Sequence, residues 1–229
     1  MAEVKQAPPR AENEVVVDRA KDFWSTNGRI IMIAGAALLI LIGGFFAYNS
    51  FISGPKEKKA TEAIFKAEEY YRMDSLQKAL NGDGQFPGFE RVISQYGGTE
   101  AGNMAKFYAG SIYVKTGDMD KAIKYLKDFS TDADQVQARA YKLLADAYAD
   151  KGQNSEALSN YKKAATAFED DAVSSPEYLF MAAYFADKVM NDKTQAIELY
   201  KQVKTKFPRS NFAMEASRYL GMAGVYDVD

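Results

Sequence analysis

Residues 108–126 read YAGSIYVKTGDMDKAIKYL, and residues 143–161 read LLADAYADKGQNSEALSNY. The two stretches superpose at an offset of 35, so that Gly110, Tyr113, Gly117, Ala122 and Leu126 match Ala145, Tyr148, Gly152, Ala157 and Tyr161. Apolar residues within each half recur at three- and four-residue spacing, the period of one helical face. Each stretch therefore predicts two helices joined by a tight turn. The small residue at Gly110 or Ala145 lets the first helix of a pair lie close to its neighbour, and Ala122 or Ala157 does the same from the second. Tyr113 and Tyr148 fill the wedge between them. Gly117 and Gly152 supply the backbone freedom that the turn needs.

This pattern resembles the tetratricopeptide repeat, whose period is about 34 residues. Weaker copies lie on both sides. In QAIELYKQVKTKFPRS, residues 195–210, Ala196, Tyr200, Val203 and Pro208 predict a second helix and its exit turn. Its first helix falls at about Pro176 to Met190, with Ser174 or Ser175 as cap and Pro176 near the first turn. No small-residue pair stands at the expected places there. QYGGTEAGNMAKFYAG, residues 95–110, parallels KFPRSNFAMEASRYLG, residues 206–221. The last helix, 211–222, then reads as the first helix of an unfinished repeat that caps the stack. Upstream, 57–80 and about 86–96 predict an imperfect first pair joined by Asn81-Gly82-Asp83-Gly84.

The N-terminal part differs in kind. Residues 1–28 are polar with mixed charges and predict a flexible tail. Val15, Val16, Val17, Phe23 and Trp24 offer an alternative, a short turn lying on a membrane surface. From Ile30 to Tyr48 the chain reads IIMIAGAALLILIGGFFAY, and no charge occurs from Ile30 through Pro55. About 20 such residues span a hydrocarbon core of ~30 Å. A cleaved signal has a shorter apolar core and a small-residue cut site; here bulky Phe51 and Ile52 follow, and a lipoprotein signal would need a Cys. The expected layout is a transmembrane helix over 29–52, a linker over 53–58 broken by Ser53-Gly54-Pro55, and a repeat domain over 59–226. Gly35, Gly43 and Gly44 are candidates for contact with another membrane helix. Arg19, Lys21 and Arg29 on one side face Lys56, Lys58, Lys59 and Lys66 on the other, so charge alone does not orient the span.

The fold class expected is all-α: one N-terminal transmembrane helix, then a tetratricopeptide-repeat-like α-solenoid of three to four helix pairs. The repeats fall at about 57–96, 103–136, 138–171 and 176–209, before the capping helix. A net charge of −2, from 29 basic and 31 acidic residues, argues against nucleic acid as a partner. The chain has no Cys and no His, which removes thiol, imidazole and the usual zinc chemistry. No cofactor is expected. The NGDG loop lacks the oxygen ligands of a calcium site and reads as a turn. Asp132 with Asp134, and Asp170 with Asp171, read as solvated loop ends rather than an acid–base pair. The chain therefore reads as a non-enzyme.

First helices of such a stack line its concave face. In the register set by Gly110, the candidate groove residues are Met104, Phe107, Val114, Arg139, Lys142, Tyr178, Met181 and Phe185. Ser111, Lys115, Asp146 and Lys188 share that face. Packing between repeats is the competing role for Phe107, Val114, Tyr178 and Phe185. Asp146 and Asp150 spoil a clamp for a terminal carboxylate.

The whole order resembles the YfgM-like family of single-span, repeat-bearing proteins: polar tail, span, KEKKA start, YAGSIYVKTGDMDKAIKYL and a final YLG helix. The stretch ALNGDGQFPGFERVISQYGGTEAGN is similar to the version found in Bacteroidota. The resemblance implies a single-pass protein of the bacterial inner membrane, N-terminus cytoplasmic and repeat domain periplasmic. It implies an ancillary role at the Sec translocon, beside a membrane-anchored prolyl isomerase of the PpiD type, with unfolded secretory chains as further partners. The alternative is a scaffold in another envelope assembly, for secretion, motility or cell-wall synthesis.

Overall fold

A computed structural model describes residues 12–226, and the chain divides after Pro55 into two compact units. Apart from one isolated bridge between Gly82 and Pro87, the regular structure among the described residues is helical.

The first unit holds helix α1, Glu12–Tyr48, followed by a π-helical turn, Asn49–Ser53. The helix begins well before residue 29, so Glu12 to Gly28 is not the flexible tail that its polarity predicts. No Gly or Pro interrupts Glu12 to Asn27, and extending an existing helix is far easier than nucleating one. Ser25 and Thr26 both donate to the Asp22 carbonyl, each at 2.9 Å, which keeps their hydroxyls within the helix. The expectation for residues 1–11 lies outside the described residues, as do the side chains of Val15 and Val16; Val17, Phe23 and Trp24 are exposed. The apolar stretch is long and uniform enough to cross a bilayer. Its large side chains from Ile30 to Phe46 are exposed, and nothing lies within 4 Å of a Cβ built on Gly35, Gly43 or Gly44.

Ser53-Gly54-Pro55, where the sequence predicts a break, marks instead a change from the π turn to helix α2. The Gly54 N–H donates to Asn49 O, five residues back, which widens the turn. Helix α2 then starts at Gly54 and runs to Arg72, with Pro55 in its first turn, where a missing N–H is harmless.

The second unit is a stack of helix pairs. Its elements after α2 are α3 Leu76–Asn81, α4 Phe89–Tyr96, α5 Glu100–Thr116, α6 Met119–Lys127, α7 Asp134–Asp150 and α8 Asn154–Thr166. The series ends with α9 Ser174–Lys188, α10 Lys193–Lys206 and α11 Asn211–Met222. The helix predicted over 57–80 is interrupted at Asp74, whose φ is +55°, so α2 and α3 are separate. Asp adopts this left-handed conformation more readily than most residues. Asp83 organises the NGDG loop as a turn. Its carboxylate accepts from the N–H of Phe86 at 2.7 Å and of Gln85 at 2.9 Å, and from the Tyr70 hydroxyl at 2.6 Å.

Small residues set the helix spacing. A Cβ on Gly110 would fall 2.6 Å from Leu126 Cγ, so only glycine lets α6 seat against α5. Ala145 and Ala157 are fully buried at the matching positions of α7 and α8. Gly117 and Gly152 take φ of +85° and +70°, and each turn closes with a bond to a carbonyl five residues back: Asp118 N–H to Tyr113, Gln153 N–H to Tyr148.

The third pair repeats this device with one residue more. Asn191 supplies the left-handed residue, φ +55°, and the Asp192 N–H reaches six residues back to Ala186 O. The buried small residue of α9 is therefore Ala183, thirteen positions before Ala196, where Gly110 and Ala145 stand twelve before Ala122 and Ala157. Neither Ser174 nor Ser175 caps α9. Val173 occupies that position without a side-chain bond, and buried Ser175 donates to Phe168 O at 2.6 Å. Elsewhere Thr99, Asp118, Asp192 and Ser210 cap α5, α6, α10 and α11 with their side chains.

Two measurements check this reading. Gly110→Ala should destabilise the repeat unit by about 1–3 kcal/mol through overpacking against Leu126. Gly221→Ala, whose Cβ would meet only the Tyr226 ring at 4.0 Å, should instead be neutral or stabilising by up to ~1 kcal/mol. Chemical denaturation of both variants compares them. Hydrogen bonds from the Phe86 N–H and then the Tyr70 hydroxyl hold the Asp83 carboxyl down at about 2. Its contribution is thus present above the ordinary carboxylate value near 3.8 and lost as pH falls through about 2. In an NMR titration, Tyr70→Phe should move the Asp83 midpoint upward toward that ordinary value.

Candidate docking groove

Helices α2 and α5 run parallel. Glu57, in the first turn of α2, accepts from the N–H groups of Glu100 and Ala101 at 2.9 and 3.1 Å, at the N-terminus of α5. Further along, the Tyr71 hydroxyl shares a 2.9 Å hydrogen bond with Ser111, and the Tyr71 ring lies 5.1 Å from that of Tyr108. A carboxylate at a helix N-terminus meets both free N–H donors and the positive end of the dipole. These contacts close the inner face of the stack at its N-terminal end.

The predicted groove residues divide accordingly. Phe107 is 7% exposed, its ring against Phe129 of the α6 exit at 5.4 Å, so it packs between elements and does not face a groove. Val114 is half-buried against the same core cluster. Met104, half-buried, lines a polar depression with Glu100, Asn103, Ser130, Thr131 and Asp132. Ser111 is buried under Tyr71.

The C-terminal half is open. Arg139 and Lys142 on α7 lie close enough to Tyr178 on α9 to favour its ionised form, although burial and then the Glu177 charge raise the Tyr178 phenol overall. Lys142 pairs with Asp146 at 2.8 Å, and the other Asp146 oxygen accepts from the Tyr161 hydroxyl at 2.8 Å. Burial first, and then the Asp146 charge, push the Tyr161 phenol far up. Asp146 is thus structural, as is Asp187. Burial alone would raise the Asp187 carboxyl, but Lys188 and Lys193 hold it below the usual range.

Between these polar pairs lies an apolar depression of about 310 Å³, lined by Tyr161, Phe180, Met181, Tyr184, Phe185 and Val189. Met181 and Phe185 are the predicted members, although Phe185 is 7% exposed and offers little more than an edge beside the Tyr161 ring. Tyr184, 43% exposed, and Val189, 52% exposed, form the accessible rim. Reading α9 in the Ala183 register moves the inward set by one residue, to Phe180 and Tyr184. The signal for that shift was in the sequence: Asn191 stands five residues before Ala196, as Gly117 and Gly152 stand before Ala122 and Ala157.

No group of His, Cys, Asp and Glu among the described residues could hold a metal ion. The depression has aromatic and thioether walls, which suit loosely specified apolar side chains.

Comparison with known families accounts for both the stack and its repeats. Residues 21–172 match the tetratricopeptide repeat-like domain, and residues 177–210 match the tetratricopeptide repeat. The chain belongs to the tetratricopeptide repeat-like domain family. Its family match covers more than half of the sequence and takes in the apolar helix as well as the first repeats. No curated protein matches the chain. Tetratricopeptide repeats are protein-interaction scaffolds, and the helical stack here is of that kind.

The Tyr161–Asp146 bond belongs to the groove's frame and is separable from its surface. Tyr161→Phe should cost about 1 kcal/mol in denaturation midpoint analysis, the worth of one hydrogen bond, while leaving the helical circular dichroism of the folded state unchanged.

Proposed function

We propose that this chain is a membrane-anchored docking module with no chemistry of its own, ancillary to the Sec translocon. The observation that carries the reading is the pairing of one apolar helix of spanning length with a repeat stack that bears an open, apolar, aromatic depression. The family match supports an uncleaved anchor, because it includes the apolar helix. The resemblance to YfgM-like proteins supports the inner membrane, the periplasmic side and a prolyl isomerase of the PpiD type or emerging secretory chains as partners. A tether confines the stack to a thin layer beside the membrane, which raises the effective concentration of every encounter there. Met181, Tyr184 and Phe185, with Arg139, Lys142 and Tyr178 beside them, are the residues that would meet a partner; Gly35, Gly43 and Gly44 would meet another membrane helix.

Photo-cross-linking in cells tests this. A cross-linker placed at Tyr184 or Val189 should yield adducts with a translocon subunit, the isomerase or secretory chains. One at Lys124, exposed on a second helix, should yield few. Adducts confined to a different envelope assembly would select the scaffold reading instead, and equal labelling from all three positions would remove the groove from the account.

A further inference from the structure

The first two turns of α2 carry Lys56, Lys58 and Lys59, with Glu57 among them. In sequence this is a mixed cluster, and Glu57 would be expected to neutralise part of it. The structure separates the charges. Glu57 is turned inward, both carboxylate oxygens taken by the Glu100 and Ala101 N–H groups. Lys56, Lys58 and Lys59 are exposed, and none forms an ion pair among the described residues. Glu62, one turn on, is also exposed and pairs with none of them. Lys66 is different, since Glu69 holds it at 2.8 Å.

These three ammonium groups directly follow the apolar stretch. Lys56 is four residues beyond Ile52, so the chain cannot place it more than about 14 Å from the last apolar residue. The headgroup layer on each side of a bilayer is roughly 5–7 Å thick, and a lysine stem lets its charge reach along an apolar surface to the polar boundary. We propose that Lys56, Lys58 and Lys59 bind the phosphate headgroups of anionic phospholipids. The proposal rests on the reading of the apolar helix as a membrane anchor. Charge complementarity commits it to lipid: three unpaired cations on one helical turn, with the acid among them withdrawn, outnumber the exposed Glu62 one turn on and leave a net positive surface to face phosphate. The same turn is fastened to α5 through Glu57, so lipid held by the lysines is coupled directly to the start of the repeats.

The test uses the full chain, made Trp24→Phe and Phe51→Trp so that its one tryptophan sits at the end of the apolar stretch. It is reconstituted into phosphatidylcholine vesicles containing a minor fraction of either brominated phosphatidylglycerol or brominated phosphatidylcholine, with bromines high on the acyl chain. Quenching should be stronger with the anionic lipid, corresponding to a local enrichment of about two- to fivefold, and the excess should fall with added salt. K56Q/K58Q/K59Q should abolish the excess, and K56R/K58R/K59R should keep it. Equal quenching by the two lipids in the parent, or an anionic excess that survives K56Q/K58Q/K59Q, would overturn the proposal while leaving the anchor intact. No quenching by either lipid would overturn the anchor and the proposal with it.

Discussion

Leu126 lies so close to the backbone of Gly110 that no side chain could stand between them. Most of the repeat unit depends on that approach. Helices held at short range interlock their side chains at crystal-like density, and a stack can then repeat the same step. Ala145 and Ala157 provide it in the next pair, Ala183 and Ala196 in the third. The core is accordingly rich in alanine, and its large residues are concentrated where successive helices splay: Phe89 against Tyr108, Tyr161 against Phe185, Phe180 among Tyr200, Phe212 and Tyr219.

Close packing of this kind leaves polar groups to be satisfied at the helix ends and along the inner face. Charge fixes register there. Glu57 ties α2 to the amides that open α5, Asp146 joins Lys142 to Tyr161, and Asp187 is held by Lys188 and Lys193 at the α9–α10 turn. Each carboxylate is engaged by donors on both sides. Of the three, Asp187 is held below the usual carboxylate range by its two lysines. The inner face that remains open is apolar and aromatic, a surface suited to contact with another protein chain.

Much of this architecture was legible beforehand. The α5–α6 and α7–α8 pairs could be read because the sequence repeats itself there with small residues and glycines in step. The capping helix could be read from the echo of YAG in YLG. The third pair was blurred by one inserted residue before Asn191, because a left-handed Asn does the work of glycine without looking like it. The sequence therefore named Met181 and Phe185 on α9 but missed Phe180 and Tyr184, which line the same depression. The groove's N-terminal half failed for another reason. Whether Phe107 faces solvent depends on Phe129 and on α2 arriving alongside α5, and neither is a local property.

The sequence by itself determined the class of the fold, the apolar helix, the repeat period and the absence of thiol and imidazole chemistry, because these follow from composition and from periodicity along one helix. It misjudged the continuity of helix through Glu12–Gly28 and Ser53–Pro55, where neighbouring helical turns outweigh local polarity and a π turn accommodates proline. Only the tertiary structure decided which apolar side chains stay accessible and which charges remain unpaired. Burial and pairing are relations between helices brought together across the chain, as Glu57 shows by turning away from the lysines beside it to meet an amide pair some forty residues further along.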